Sequence, residues 1–215
     1  MQLKSYLEMD LHTRPIWAYL ADIIMAKKCT EKQGVPEELR KNPFLQDWKP
    51  QTKKLPKLLA RMMKVAKKYA VEIDHTGLPK EALLQMPLWY HVGADMHKTQ
   101  RNRSTAAKCL QDNHKISTVH DAMELLQRLE EEEHYPANFC RCRQCAHDKD
   151  ELGCRNPHKC IVTVAERLSQ LKANCDPNRY ENRDLTIEDV TLEEGDISLS
   201  PNPSNLLLLD GFRVF

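Results

Sequence analysis

Cys140, Cys142, Cys145, Cys154, His158 and Cys160 place five thiols and an imidazole at ligand spacing within 21 residues, a span that also holds His147. Thiolate and imidazole are the ligands zinc takes in structural sites, four at a time and usually supplied as closely spaced pairs. Cys142-x2-Cys145 is such a pair, a tight turn whose backbone amides can donate to the thiolates. Gly153 ahead of Cys154, and Asn156-Pro157 after it, supply a second turn. Arg141, Arg143, Arg155 and Lys159 would offset the charge of several thiolates. A disulfide knot, buried inert thiols or an unbound reactive cluster would explain the spacing less well, and the last would oxidise readily. The first-choice tetrad is Cys142, Cys145, Cys154 and Cys160, with Cys140 and His158 as substitutes.

Cys109-x4-His114 could add two ligands, making eight candidates and enough for two zinc ions. Against that, free cysteine is among the most buried residue types, and the simpler expectation for Cys109 is a small core residue. His12, His75, His91, His97, His120, His134 and His147 have no nucleophile or carboxylate at a telling distance and read as surface or packing residues. A catalytic zinc needs an open position and a nearby base. Asp148 and Asp150 are near, but no His-Glu pair stands at helical spacing, so the expected site is structural. No Gly-rich phosphate loop, nucleophile elbow or Walker motif occurs.

A second chemistry-bearing group is basic. Lys57, Arg61, Lys64 and Lys68 repeat at four, three and four residues and share one helix face, broadened by Lys53, Lys54 and Lys67. Such a stripe can meet successive phosphates of RNA or DNA without reading sequence. The plainer alternative is the solvated side of an amphipathic helix. Arg101 and Arg103 add charge before the next helix.

The elements that must position these groups are helical. Residues 16–25 read as a helix after Arg14-Pro15, with Ile16, Leu20, Ile23 and Ile24 on one face. Residues 28–54, with Gly34, Pro36, Pro43 and Pro50, read as a loop or linker. Residues 56–70 form the basic helix, its apolar stripe made of Leu58, Leu59, Met62, Val65, Ala66 and Tyr69. Two more helices fit 104–112 and 119–133, the second capped by Thr118 with Asp121 three residues on, and with Leu125, Leu126 and Leu129 facing the core. Glu130 to Glu133 is its solvated end. Ile161, Val164, Ala165, Leu168 and Leu171 continue a helical period to about residue 173.

The net charge of +1 conceals an uneven distribution, because residues 176–215 hold nine acidic and three basic side chains. A basic body with an acidic tail suggests an anionic partner or masking of one by the other. The tail is Pro/Asn/Ser-rich and aperiodic up to Leu206-Leu207-Leu208-Leu209, so it is expected to be largely disordered, with a terminal apolar segment open to a protein partner. No stretch approaches the roughly 20 apolar residues of a membrane span, and the first residues lack a signal-peptide core. A reducing intracellular location, nuclear or cytoplasmic, follows as the expectation, and there metal binding is the commoner use of clustered cysteines.

The order of motifs resembles the zinc-binding connection region between polymerase and RNase H domains in reverse transcriptases of non-LTR-type retroelements, particularly fungal ones. The matching residues are Leu3-Lys4-Ser5-Tyr6-Leu7, Arg14-Pro15-Ile16-Trp17-Ala18 with Ala21-Asp22, Met86-Pro87-Leu88-Trp89-Tyr90-His91, Lys108-Cys109-Leu110 through Asn113-His114 to Thr118-Val119, and the cysteine cluster with Asn156-Pro157-His158-Lys159-Cys160. The closing Gly211-Phe212-Arg213-Val214-Phe215 looks like a lead-in to RNase H. The resemblance covers most of residues 3–175 and implies a segment after the polymerase palm. No Tyr-x-Asp-Asp motif and no RNase H carboxylate set occurs here, so the family's enzymatic activity is not carried over, and a fragment or domesticated remnant is implied.

The expected protein is therefore mainly α. Residues 1–135 are a helical region with the basic helix near 56–70, residues 136–175 a zinc-binding knuckle plus helix, and residues 176–215 an acidic tail. The expected function is a non-catalytic, zinc-stabilised nucleic-acid-binding module of retroelement origin. The alternative is a protein-interaction scaffold using the knuckle and the apolar C-terminal segment.

Overall fold

The structure, a computed structural model, describes residues 2–8, 12–75, 78–94, 102–179 and 212–214. Those residues are mainly α, with eight helices among them: α1 (Gln2–Leu7), α2 (Ile16–Lys27), α3 (Lys57–Lys68), α4 (Lys80–Leu84), α5 (Thr105–Asp112), α6 (Val119–Leu126), α7 (Arg143–Asp150) and α8 (Pro157–Leu168). Two short strands, β1 (Val71–Ile73) and β2 (Phe212–Val214), pair antiparallel with Val71 opposite Val214 and Ile73 opposite Phe212. No helix among the described residues is long and apolar enough to cross a membrane.

Two apolar cores organise the chain. The first joins Tyr6, Ala18, Ala21, Met25, Phe44, Trp48, Leu59, Met62 and Ala66. It draws on α1, α2, α3 and the segment between α2 and α3. The second joins Leu83, Met86, Trp89, Leu110, Val119, Ala122, Ile161, Val164 and Leu168, and takes in Cys154 and Cys160. Here α5 and α6 pack against α8. Tyr90 and Phe212 touch both cores, so β2 contributes an aromatic ring to the body, edge-on to Phe44 at 6.1 Å.

Several local expectations meet their physical counterparts. Thr118 and Asp121 form a reciprocal capping box at the start of α6. Burial alone would raise the Asp121 carboxyl, but donations from Ser117 and Thr118 hold it below the usual range. Asn156 caps α8 by accepting from the Lys159 amide, with Pro157 in the first turn. Gly153 sits at φ +65°, the left-handed conformation that lets the chain reverse immediately before Cys154.

Other expectations are corrected. Ile16, Leu20 and Ile23 face solvent, because α2 turns the side carrying Ala18, Ala21 and Met25 into the first core. On α3, Leu58, Val65 and Tyr69 are exposed and only Leu59, Met62 and Ala66 are buried, a narrower stripe than the periodicity suggests. The helix expected over 119–133 ends at Leu126 and continues as a 3-10 turn over Gln127–Glu130, leaving Leu129 exposed. The last helix begins at Pro157 and ends at Leu168. Residues 143–150 form a helix that periodicity does not reveal, since its buried residues are only Cys145 and Asp148. Most of the acidic tail, including Leu206 to Leu209, lies outside the described residues, as does His97. Within its limits, however, Pro177 is buried and Phe212–Val214 is a strand.

The segment 28–54 is the largest departure, since it is an integral part of the body rather than a linker. Its hub is Gln46, 2% exposed. The Gln46 Nε2 donates to the Leu39 and Trp89 carbonyls, both at 2.8 Å. Its Oε1 accepts from the Lys41 amide at 2.7 Å, the Asn42 amide at 3.3 Å and the Trp48 indole at 3.0 Å. Trp89 in turn donates to the Ile116 carbonyl at 2.7 Å, so one amide side chain ties the loop to the Met86–His91 motif. Gln46→Leu leaves these partners buried without a hydrogen bond and is expected to cost about 3 kcal/mol. Urea unfolding measures it; a loss under about 1 kcal/mol would show that the loop is held by apolar contacts alone.

Candidate metal centres

Cys140, Cys142, Cys145, Cys154 and Cys160 are all buried, and all eight cysteines of the chain are free. The structure sorts them with two histidines into two separate groups of four. Cys109, His114, Cys154 and Cys160 form one group, and His134, Cys140, Cys142 and Cys145 the other. Within each, the ligand atoms lie within 4.8 Å of one another. Either group could hold a metal ion.

The Cys109 centre is built from three elements. Cys109 projects from the last turn of α5, and His114 follows where the chain leaves that helix. Cys154 stands after the Gly153 reversal, and Cys160 lies in the first turn of α8. The packing of α5 on α8 closes the group. Cys154 Sγ and Cys160 Sγ are 3.6 Å apart. The Nε2 of His114 is buried with no hydrogen-bond partner, while its Nδ1 lies 3.8 Å from the Oδ2 of fully buried Asp148. Arg128 donates to that same carboxylate oxygen, and the Asp148 carbonyl accepts from the Cys154 amide at 2.8 Å.

The His134 centre is more local. Cys142 caps α7, its sulfur accepting from the Cys145 amide at 3.4 Å, which is the amide-to-thiolate turn expected of the Cys142-x2-Cys145 pair. Cys140 Sγ accepts from the Tyr135 amide at 3.3 Å. Nδ1 of His134 lies 3.8, 3.7 and 3.5 Å from the sulfurs of Cys140, Cys142 and Cys145. A tetrahedral zinc ion, about 2.3 Å from sulfur and about 2.0 Å from nitrogen, holds its ligand atoms about 3.5–3.8 Å apart. The three His134–sulfur distances and the Cys154–Cys160 separation fall at that spacing.

The expected tetrad is thus divided between the two centres. Cys142 and Cys145 serve one, Cys154 and Cys160 the other, because α7 and its following turn stand between the pairs. Cys140 is a full member of the His134 group. His158 belongs to neither and instead places its Nδ1 3.3 Å from His134 Nε2. Cys109 packs against the second core, as expected of a small apolar side chain, and its sulfur also stands in a candidate metal group with His114. His134 was not singled out by its neighbours in sequence; its six-residue offset from Cys140 was the available signal.

The electrostatics of the two donor sets favour a cation. Burial, then Cys142 and Cys140, push the Cys145 thiol up to about 12. Burial and Cys154 push Cys109 up to about 11, and burial with Cys154 and Cys109 raises Cys160 further. Burial lowers both His134, with help from His158, and His114, with help from Arg128 against the opposing pull of Asp148. Cys109, Cys145 and Cys160 therefore keep their protons, and His114 and His134 stay neutral, until an ion displaces the protons; Cys140 moves the other way, lowered despite burial by donation from the Cys142 and Tyr135 amides. The sign follows directly: ion binding releases protons, so affinity falls as pH falls. A titration at pH 5 is expected to show affinity at least about 100-fold weaker than at pH 7.5; equal affinities would remove the thiols from the ligand set.

The four basic positions singled out on α3, Lys57, Arg61, Lys64 and Lys68, are all exposed, as are Lys53, Lys54 and Lys67. The Lys68 ammonium lies 5.1 Å from the centre of the exposed Tyr69 ring. Comparison of the chain with protein-family models, with curated proteins and with solved structures gives no match.

Proposed function

We propose that this chain is a non-catalytic, zinc-stabilised helical module that binds RNA or DNA through the solvent face of α3. The observation that carries the zinc assignment is the spacing of His134 Nδ1 from three cysteine sulfurs, 3.5–3.8 Å, beside a second four-residue group whose ligand atoms lie within 4.8 Å of one another. Three thiolates and one imidazole in a tetrahedron suit zinc better than the oxygen-seeking magnesium or calcium. Each centre offers four protein ligands, which fills the tetrahedron. A catalytic zinc keeps three and leaves a place for water. Eight free cysteines, six of them in these two groups, fit a reducing compartment, nuclear or cytoplasmic.

The nucleic-acid assignment rests on the exposed row Lys57, Arg61, Lys64 and Lys68. Retroelement origin, as a fragment of a reverse transcriptase, rests on the order of motifs from Leu3 to Cys160. Elemental analysis of purified protein is expected to find two zinc ions per chain, and anisotropy with labelled oligonucleotides is expected to show binding at low salt. Protein free of zinc would remove the first assignment, and no binding at low salt the second. One observation favours the alternative scaffold reading: Ile16, Tyr19, Leu20 and Ile23 expose an apolar strip along α2.

A further inference from the structure

Two polar side chains beside the metal centres are placed crosswise. His158 stands in the first turn of α8, two residues before Cys160, a ligand of the Cys109 centre. Yet its ring faces the other centre, with Nδ1 3.3 Å from His134 Nε2 and the ring centres 5.5 Å apart. Asp148 stands in α7, three residues after Cys145, a ligand of the His134 centre. Its carboxylate faces the Cys109 centre, with Oδ2 3.8 Å from His114 Nδ1, and is held by Arg128. Each centre's histidine therefore meets a polar group carried by the helix that supplies a cysteine to the other.

Resting on the two-zinc reading, we infer that His158 and Asp148 are positioning residues that couple the two centres, so that filling one favours filling the other. A metal-bound imidazole normally donates its second N–H to a fixed acceptor, which sets the tautomer and strengthens the ligand. His134 offers Nδ1 to the ion, so its Nε2–H donates to His158 Nδ1. His114 has its unpartnered Nε2 available to the ion, so its Nδ1–H points at Asp148. Binding at Cys160 fixes the first turn of α8, and with it the acceptor on His158. Binding at Cys142 and Cys145 fixes α7, and with it the carboxylate of Asp148.

The two histidines should coordinate through different nitrogens, and this distinguishes centres of the same three-sulfur, one-nitrogen composition. Long-range proton–nitrogen NMR of the zinc-loaded full chain is expected to show His134 bound through Nδ1 and His114 through Nε2. Cobalt titration, followed by the thiolate charge-transfer band, reads the coupling. Cys109→Ser leaves only the His134 centre, and Cys145→Ser only the Cys109 centre. In the unaltered chain each centre should bind about 10-fold more tightly when its neighbour is filled than it does in these single-centre variants. His158→Ala should weaken the His134 centre about 10-fold, with recovery in His158→Gln, which retains an acceptor. Asp148→Asn keeps the shape and removes the charge, and should weaken the Cys109 centre by a similar factor.

Two ions bound with the affinities of the isolated centres, unchanged in His158→Ala and Asp148→Asn, would overturn the coupling while leaving both zinc sites in place. His134 bound through Nε2 would also overturn it. A chain that takes up no ion would end the zinc reading and the coupling together.

Discussion

Cys160→Ser is expected to destabilise the whole second core, by about 4 kcal/mol or more, while Cys145→Ser melts only the segment around α7. Each variant should also lose one of two bound ions. The difference follows from where the centres sit. Cys154 and Cys160 belong to the same apolar cluster as Leu110, Ile161, Val164 and Leu168, so an ion there clamps α5, α8 and the Gly153 turn around a shared interior. Cys140, Cys142 and Cys145 form a small cluster of their own, where a bound ion would be the main cohesive element. Metal-linked folding of this kind can supply about 10–16 kcal/mol at a structural zinc site, and chelation removes it. Urea unfolding followed by circular dichroism, with hydrogen exchange to locate the loss, separates the two variants. Wild-type stability and ion content in both would show that the sulfurs do not share an ion.

Charge reversal on α3, with Lys57, Arg61, Lys64 and Lys68 all changed to Glu, is the second large effect. These side chains are exposed and face solvent, so the fold should be retained while oligonucleotide binding is lost. If the four positions neutralise four phosphates, the unaltered protein should lose about 50- to 150-fold in affinity between about 50 and 200 mM salt. The reversed variant should show no measurable binding under either condition. Unchanged oligonucleotide binding would move the nucleic-acid surface elsewhere. Unchanged capture of protein partners would be consistent with the exposed apolar strip of α2 serving a separate purpose.

How much of this was legible in the chain depends on the range of the interaction. The start of α6 was readable because one side chain there meets a backbone three residues away, at Thr118–Asp121, whereas Asn156 read as a turn and proves to cap α8. The amide-to-thiolate turn at Cys142–Cys145 was readable for the same reason. The buried faces of α2 and α3 were less so, because periodicity reports where apolar residues lie and not how wide a partner covers them. For α2 the partner takes the alanine side, and the larger residues are left outside. The loop 28–54 looked like a linker because its order comes from Gln46, a polar residue whose partners include Trp89, 43 positions away.

By itself the amino-acid order determined that sulfur and imidazole would be concentrated between residues 140 and 160, that helices would dominate, and that one helix would carry a basic face. Those follow from composition and from spacings of two to four residues. Only the tertiary structure decided the division of ligands into two sets, the recruitment of Cys109 and His114, and the role of His134. A tetrahedral ion requires four atoms within a few ångströms, and atoms more than 40 residues apart reach that distance only when α5 packs against α8.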